Sequence, residues 1–340
     1  SCPMNKAISF IVCLSIFYGT TANYQQQTTA LSLSQKQKQV STQLFRIIKN
    51  GKYGFIDQSG KIVIEPQFDL AWSFIDERAQ IKIDDKYGYI DTTGKKIIPP
   101  QYRLSFSFSN KLALVLIDYK YGYINANGQL VIKPQFDEAL AFKNGLAAVK
   151  IDEKWGYIDF SGKVVIKPQF DRALHFNEGL AAVEIDGKWG YINSNGNIVI
   201  PPQFDETLGF FEDLAAIKIK DKYGYINASG KVIIKPQFDD AWEFNDKLAV
   251  VKIGEKWGFI NFKGQVAIVS KFERVTKFSQ GLAAVKIHDK YGYIDKTGKM
   301  IIPPRFDLAL AFTDELALVY IGGKANYINK QGQFVWQQTN

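Results

Sequence analysis

An aromatic residue followed by glycine returns every 34 residues along this chain: Tyr53-Gly54, Tyr87-Gly88, Tyr121-Gly122, Trp155-Gly156, Trp189-Gly190, Tyr223-Gly224, Trp257-Gly258 and Tyr291-Gly292. One more step lands on Ala325-Asn326, a decayed ninth copy. A second glycine (Gly60 through Gly332) and a lysine (Lys52 through Lys324) keep the same step without insertion or deletion. Three ladders in one register exclude chance. A fixed period means that one small unit is copied, and that neighbouring copies complete each other's core.

A period of 34 also suits helical repeats, but the residue types reject helices. Each unit carries two or more glycines and usually a proline, and its apolar runs are short, β-branched and aromatic, such as "LAAVKI", "KWGYID" and "KVVIKP". None keeps the i, i+3, i+4 pattern over a helix's length. The unit reads as a meander of three strands, Gly145–Ile151, Trp155–Asp159 and Lys163–Pro168, with turns at "DEK" and "FSG". The segment "QFDRALHFNE" then leads to the next unit, holding either a short fourth strand or a tight turn. Both faces of the meander are apolar: Trp155 and Tyr157 lie on one side, Ile158 on the other. Such a sheet needs cover on both sides, and in a tandem array the neighbours supply it.

Glycine inside a strand weakens it, so Gly156 calls for a reason. Two structural ones present themselves. The missing side chain leaves a slot for a ring from an adjacent unit, of the Phe170 or Phe176 type, or the glycine permits a bulge.

The stretch "KWGYIDFSGKVVIKPQFD" with "ALHFNEGLAAV" resembles the bacterial WG-repeat (KWG) family over roughly residues 44–336. The resemblance implies a tandem β-repeat protein and no established activity, cofactor or catalytic residue. Departures are tyrosine for tryptophan in five copies, Ala325-Asn326 in the last, and "VSKFE" where other copies read like "KPQFD".

The expected fold is all-β: about nine 34-residue meanders stacked as an open solenoid or superhelix, with a closed, propeller-like toroid as the alternative. The open coil is preferred because the first and last meanders each look complete, 34 residues is short for four strands, and a degenerate last copy suits an end cap. Ahead of the repeats, Met4–Ala22 has the charge, apolar run and small residues of a secretory signal, and 23–43 is a Gln-rich polar linker; residues 337–340 form a tail. The expected location is extracytoplasmic, periplasmic or secreted, with no transmembrane domain once the signal is cut.

Chemistry is sparse. Both cysteines, Cys2 and Cys13, precede the repeats, and the two histidines, His175 and His288, occupy different positions of the unit. No cysteine zinc site, metal site, cofactor or catalytic set is expected. The aspartates of the gapped "PQFD" ladder (Asp69, Asp137, Asp171, Asp205, Asp239, Asp307) sit in like environments, which suits turn capping better than acid–base catalysis. The lysine ladder is the feature with most functional promise. Lys86, Lys120, Lys154, Lys188, Lys222, Lys256 and Lys290 form a candidate stripe for an anionic ligand, supported by the +8 net charge. The bland alternative is that each lysine lies over the neighbouring ring and pairs with a turn acid such as Asp152 or Asp186. The residue after "FD" changes charge from copy to copy (Glu138, Arg172, Glu206, Asp240, Arg274), marking a candidate exposed row. The functional expectation is a non-enzymatic binding or scaffold module for a protein or an anionic polysaccharide, with nucleic acid not expected. A passive structural component and a glycan-active enzyme are the alternatives.

Overall fold

The computed structural model describes residues 43–339. The expected signal segment and nearly all of the linker lie outside the described residues. The described residues form nine antiparallel sheets, eight of four strands and one of three. We call them blades 1 to 9 and their strands A to D in chain order, blade 1 having only B, C and D (Phe45–Lys49, Lys52–Ile56, Ile62–Phe68).

Blade 5 shows how the sequence builds one unit: A is Arg172–Asn177, B Leu180–Ile185, C Lys188–Asn193 and D Ile198–Phe204. The link between meanders is therefore a strand, and it joins the sheet that follows it. Two-residue turns make this possible. In blade 4, Asp152 and Glu153 join B (Ala147–Ile151) to C (Lys154–Ile158) with φ of 48° and 67°, the positive pair that matches strand twist. The C–D turn is held by Asp159, whose Oδ1 accepts the N–H groups of Ser161 (2.9 Å) and Lys163 (3.1 Å). With strands this short, 34 residues hold four of them.

Gly156 answers to the bulge reading and not to the ring slot. Trp155 pairs with Phe170 and Tyr157 with Ile166, so strand D (Val164–Phe170) carries extra residues across the glycine. A Cβ there would stand 2.5 Å from the Ile166 carbonyl oxygen and 2.7 Å from the Pro168 nitrogen. The omitted side chain is replaced by the blade's own backbone. Phe176 packs instead on Tyr157, edge to face at 4.9 Å.

The core lies between blades. Ala148, Trp155, Tyr157, Ile166 and Phe170 of blade 4 meet Ala173, Phe176, Ala181, Val183 and Ile192 of blade 5. Ile158 faces the other way, into a cluster with Tyr123 and Phe136 of blade 3. Seven of the nine joints are pinned by a tyrosine hydroxyl donating to a carbonyl of the next blade, as in Tyr157 to the Leu174 carbonyl at 2.7 Å; Phe55 and Phe259 hold the position in blades 1 and 7. The A–B turns add a second circuit, in which Glu178 accepts the Asp213 N–H (3.0 Å) and Glu212 the Lys247 N–H (2.9 Å).

The same contacts join the two ends, and this overturns the expected open coil. Phe45, Ile47 and Ile56 of blade 1 form one cluster with Leu316 and Tyr327 of blade 9. Phe45 and Tyr327 stack edge to face at 5.5 Å. Gln58 donates to the Asp314 carbonyl at 2.9 Å. Within the ring, Gly162 abuts Ile132 of the preceding blade's D strand; at the seam Gly60 abuts the Val335 backbone. The protein is a closed nine-bladed propeller. Ala325-Asn326 is no end cap: both residues are buried inside the last blade, beside the seam. The other two sequence arguments for a coil fail physically. The link supplies the fourth strand, and the three-stranded first blade and four-stranded last blade close the ring through side-chain packing without sharing a blade.

Strands A lie innermost, those of blades 5, 6 and 7 against one another. Strands D form the rim, where Val164 and Val165 are both exposed. Antiparallel order puts all B–C turns and D–A links on one face of the ring, and all A–B and C–D turns on the other.

Candidate functional site

The B–C face gathers both groups of residues that the sequence marks. Every ladder lysine opens a C strand and every residue of the variable row opens an A strand, so both lie at this end. Each group is partnered in a way that sets its chemistry.

Lys154 donates to Asp171 Oδ1 at 2.5 Å, while Asp171 Oδ2 accepts the Asp186 N–H of blade 5 at 2.8 Å. The aspartate thus ties the lysine of one blade to the B–C turn of the next. The pairs Lys52–Asp69, Lys120–Asp137, Lys188–Asp205, Lys222–Asp239 and Lys290–Asp307 repeat the contact. Hydrogen bonding by the ladder lysine, then by the turn N–H, holds Asp69, Asp171, Asp205, Asp239 and Asp307 below the usual carboxylate range. They are fixed anions that cap turns, as the sequence suggests, but the turn is the next blade's B–C hairpin. Two ladder positions differ. Arg103 stands where Lys86 would find its aspartate, and Glu273 where Lys256 would; among the described residues Lys86 and Lys256 make no ion pair.

The cations over the aromatic rings are a different set, on strands A and B. Lys82 lies 5.3 Å from the Tyr87 ring, Lys218 5.4 Å from Tyr223, Lys252 5.8 Å from Trp257, and Arg172 5.2 Å from Trp189. The ladder lysine immediately before the aromatic does not take this place; a cross-strand neighbour of the ring does, as Lys82 opposite Tyr87.

The variable row is paired across to strand B. Glu138 bonds Lys150 (3.0 Å), Glu206 bonds Lys218 (3.1 Å), and Arg172 bonds Glu184 with the signs reversed. Asp240 stands opposite Lys252. Glu206 and Arg274 are exposed, whereas Glu138, Arg172 and Asp240 are half-buried. Burial raises the Asp240 carboxyl above its ordinary value. The row is therefore a set of cross-strand charge pairs, and the exception is Arg274, whose register partner is Lys286.

Two compensations were readable and went unread: an acid seventeen residues after most ladder lysines, Lys86 with Arg103 being the exception, and a sign change twelve residues after four of the five charged members of the row, Arg274 being the exception. Both offsets follow from the fold, the first crossing a C–D–A path, the second an A–B hairpin.

On this face Ile151, Asp152, Lys154, Lys167 and Pro168 line an open groove of about 440 Å³. Among the described residues, no group of three or more His, Cys, Asp or Glu is placed to hold a metal ion, and no helix is long and apolar enough to cross a membrane.

The fold has a counterpart in a solved structure described as the eukaryotic initiation factor, at a TM-score of 0.65 and 12% identity over 87% of this chain and 96% of that one. At that identity the likeness shows the fold alone. The dihydro-heme d1 dehydrogenase NirN matches at a TM-score of 0.48 and 12% identity, over 87% of this chain and 73% of that one, too distant to carry an argument. No curated protein matches the chain by sequence. The WG containing repeat matches eight times in succession, from 53–87 to 291–324. With its aromatic-glycine ladder, its glycine-accommodating D strands and those eight matches, the chain belongs to the WG containing repeat family.

Proposed function

We propose that the ring is a non-catalytic binding module acting outside the cytoplasm, whose B–C face takes an acidic protein surface or an anionic polymer such as an acidic polysaccharide. The observation that supports this most is the charge at the junction of blades 7 and 8. At six joints of the face the ladder lysine is matched by aspartate. Here Arg274 faces Lys286, and Lys256 makes no ion pair among the described residues. Lys271, over the Phe272 ring at 5.5 Å, stands at the same end of the blade. Against these four cations stand Asp289, 3.7 Å from Lys286, and Glu273, so the patch keeps a net positive charge that attracts polyanions, and a chain ligand that runs along the ring adds contacts that are individually weak.

The absence of a chemical step in this reading rests on likeness between copies. The face's aspartates are fixed anions in repeated surroundings, whereas acid–base catalysis needs carboxyls whose environments push them apart. Export rests on the Met4–Ala22 segment, and an exported ring does not meet nucleic acid.

Retention on an immobilised polyuronate, at low and moderate salt, tests the proposal. Retention should fall with salt and be lost in the R274E/K286E variant, but persist in K163E, altered on the opposite face. Retention indifferent to salt and to the double variant contradicts it.

A further inference from the structure

The channel wall carries an asymmetry that the rest of the ring lacks. On the A side of each blade one core position is phenylalanine in all eight copies, Phe74 through Phe312. The residue before it runs Ser73, Ser107, Ala141, His175, Gly209, Glu243, Lys277 and Ala311; the residue after it runs Ile75, Ser109, Lys143, Asn177, Phe211, Asn245, Ser279 and Thr313. A repeat that keeps its core so strictly has been free to individualise the two positions that flank it.

In blades 4 to 8 these residues converge. Lys143 reaches past blade 5 to the Phe211 ring of blade 6, at 5.6 Å. Glu243, 4% exposed, bonds Lys277 at 2.9 Å. Gly209 makes room for Asn177, whose amide nitrogen lies 2.8 Å from where a Cβ would stand. His175 lies between, and its Nδ1 is buried without a hydrogen-bond partner. Burial lowers the pKa of Lys143, and burial together with the Lys143 charge pushes His175 down to about 4. One carboxylate, Glu243, serves two lysines, bonding Lys277 and acting through its charge on Lys143, so the cluster keeps one net positive charge next to one unused imidazole nitrogen. A desolvated cation and an unpartnered donor are both costly, and one anion relieves both.

We propose that the channel between blades 4 and 6 binds a small organic carboxylate, its oxygens between Lys143 Nζ and the Nδ1–H of a neutral His175 and its apolar part against Phe211. A monoanion matches the single net charge of the cluster. This site is distinct from the polyanion face and stands or falls without it.

The two histidines make a direct test. In the full chain, ring resonances of His175 and His288 are followed while benzoate, then acetate, is added. The proposal expects the His175 signal to shift to saturation while His288, in a B–C turn, stays still, with benzoate the tighter of the two. K143M should weaken binding by at least about tenfold, with K143R retaining it; preserved His288 and aromatic signals establish that K143M is folded. An unmoved His175, a shift shared by both histidines without saturation, or equal binding by K143M overturns the proposal.

Discussion

Tyr327 donates its hydroxyl to the backbone carbonyl of Arg46 at 2.6 Å, joining residues 281 apart in sequence. At the other joints that have a tyrosine, its hydroxyl reaches a carbonyl seventeen residues on, in or just past the A strand, as Tyr123 does to Leu140. Blade 1 has no A strand among the described residues. The carbonyl at the Arg46 position accepts an N–H from that segment in other blades, as Ala148 does from Leu140 at 2.9 Å. At the seam that acceptor is open, and the tyrosine takes it. Tyr327→Phe should cost about 1–2 kcal/mol, since it strands a buried carbonyl. Chemical denaturation measures it, and hydrogen exchange should rise first in blades 1 and 9. Unchanged exchange there would remove the hydroxyl from the closure.

Gly156→Ala should be among the most damaging single substitutions in the ring. The new Cβ meets backbone at 2.5 Å, which no rotamer relieves, and the cost should be about 3 kcal/mol or more. Gly187→Ala meets nothing within 4 Å and suffers only its φ of +76°, a penalty of about 1 kcal/mol. Comparing the two unfolding midpoints separates steric from conformational cost; equal losses would refute the close-approach account.

The reversed pair Arg172–Glu184 predicts a charge-swap rescue. Glu184 is 7% exposed, so R172E places two acids together at a nearly buried site, and E184R does the same with cations. Each single change should lower stability by about 1–3 kcal/mol, with the exposed side of the pair screened by solvent. R172E/E184R should recover most of the loss in a double-mutant cycle. Additive losses would show that the pair does not interact.

His175 makes stability pH-dependent with a definite sign. The ring is neutral in the fold down to about pH 4 and protonated in the unfolded chain below its ordinary value near 6.5. Between those limits the unfolded state binds more protons, so stability falls as pH falls, by up to roughly 3 kcal/mol. The lowered Asp171 and its equivalents act in the same direction, but only as pH falls below the ordinary aspartate value of 3.8. Denaturation midpoints of the wild type and H175Q should diverge between pH 7 and pH 5 as the wild type weakens. Parallel curves would place His175 in contact with solvent.

The repeat, its strands and the two-faced burial were legible because each rests on local pattern: alternation in "WGYID", turn residues in "DFSG", and a fixed step of 34. Closure was not. Whether Phe45 meets Tyr327 depends on the small rotation between successive blades, summed around the ring, and no residue encodes that sum. The lysine ladder was legible as a ladder, but its charge was misjudged because the offsetting aspartate arrives seventeen residues later in another blade. The channel cluster was hidden for the opposite reason. His175 and Glu243 hold one repeat position in different copies and Lys143 another, and only the ring brings them together.

The closed ring is tested most directly by the distance between spin labels at positions 58 and 314, where Gln58 meets the Asp314 carbonyl. Labels at 194 and 144, the same positions in blades 5 and 4, calibrate an ordinary joint. A closed ring predicts one narrow distribution at the seam, centred on the value of the interior pair. A seam distance that is long and broad while the interior pair stays short would contradict it.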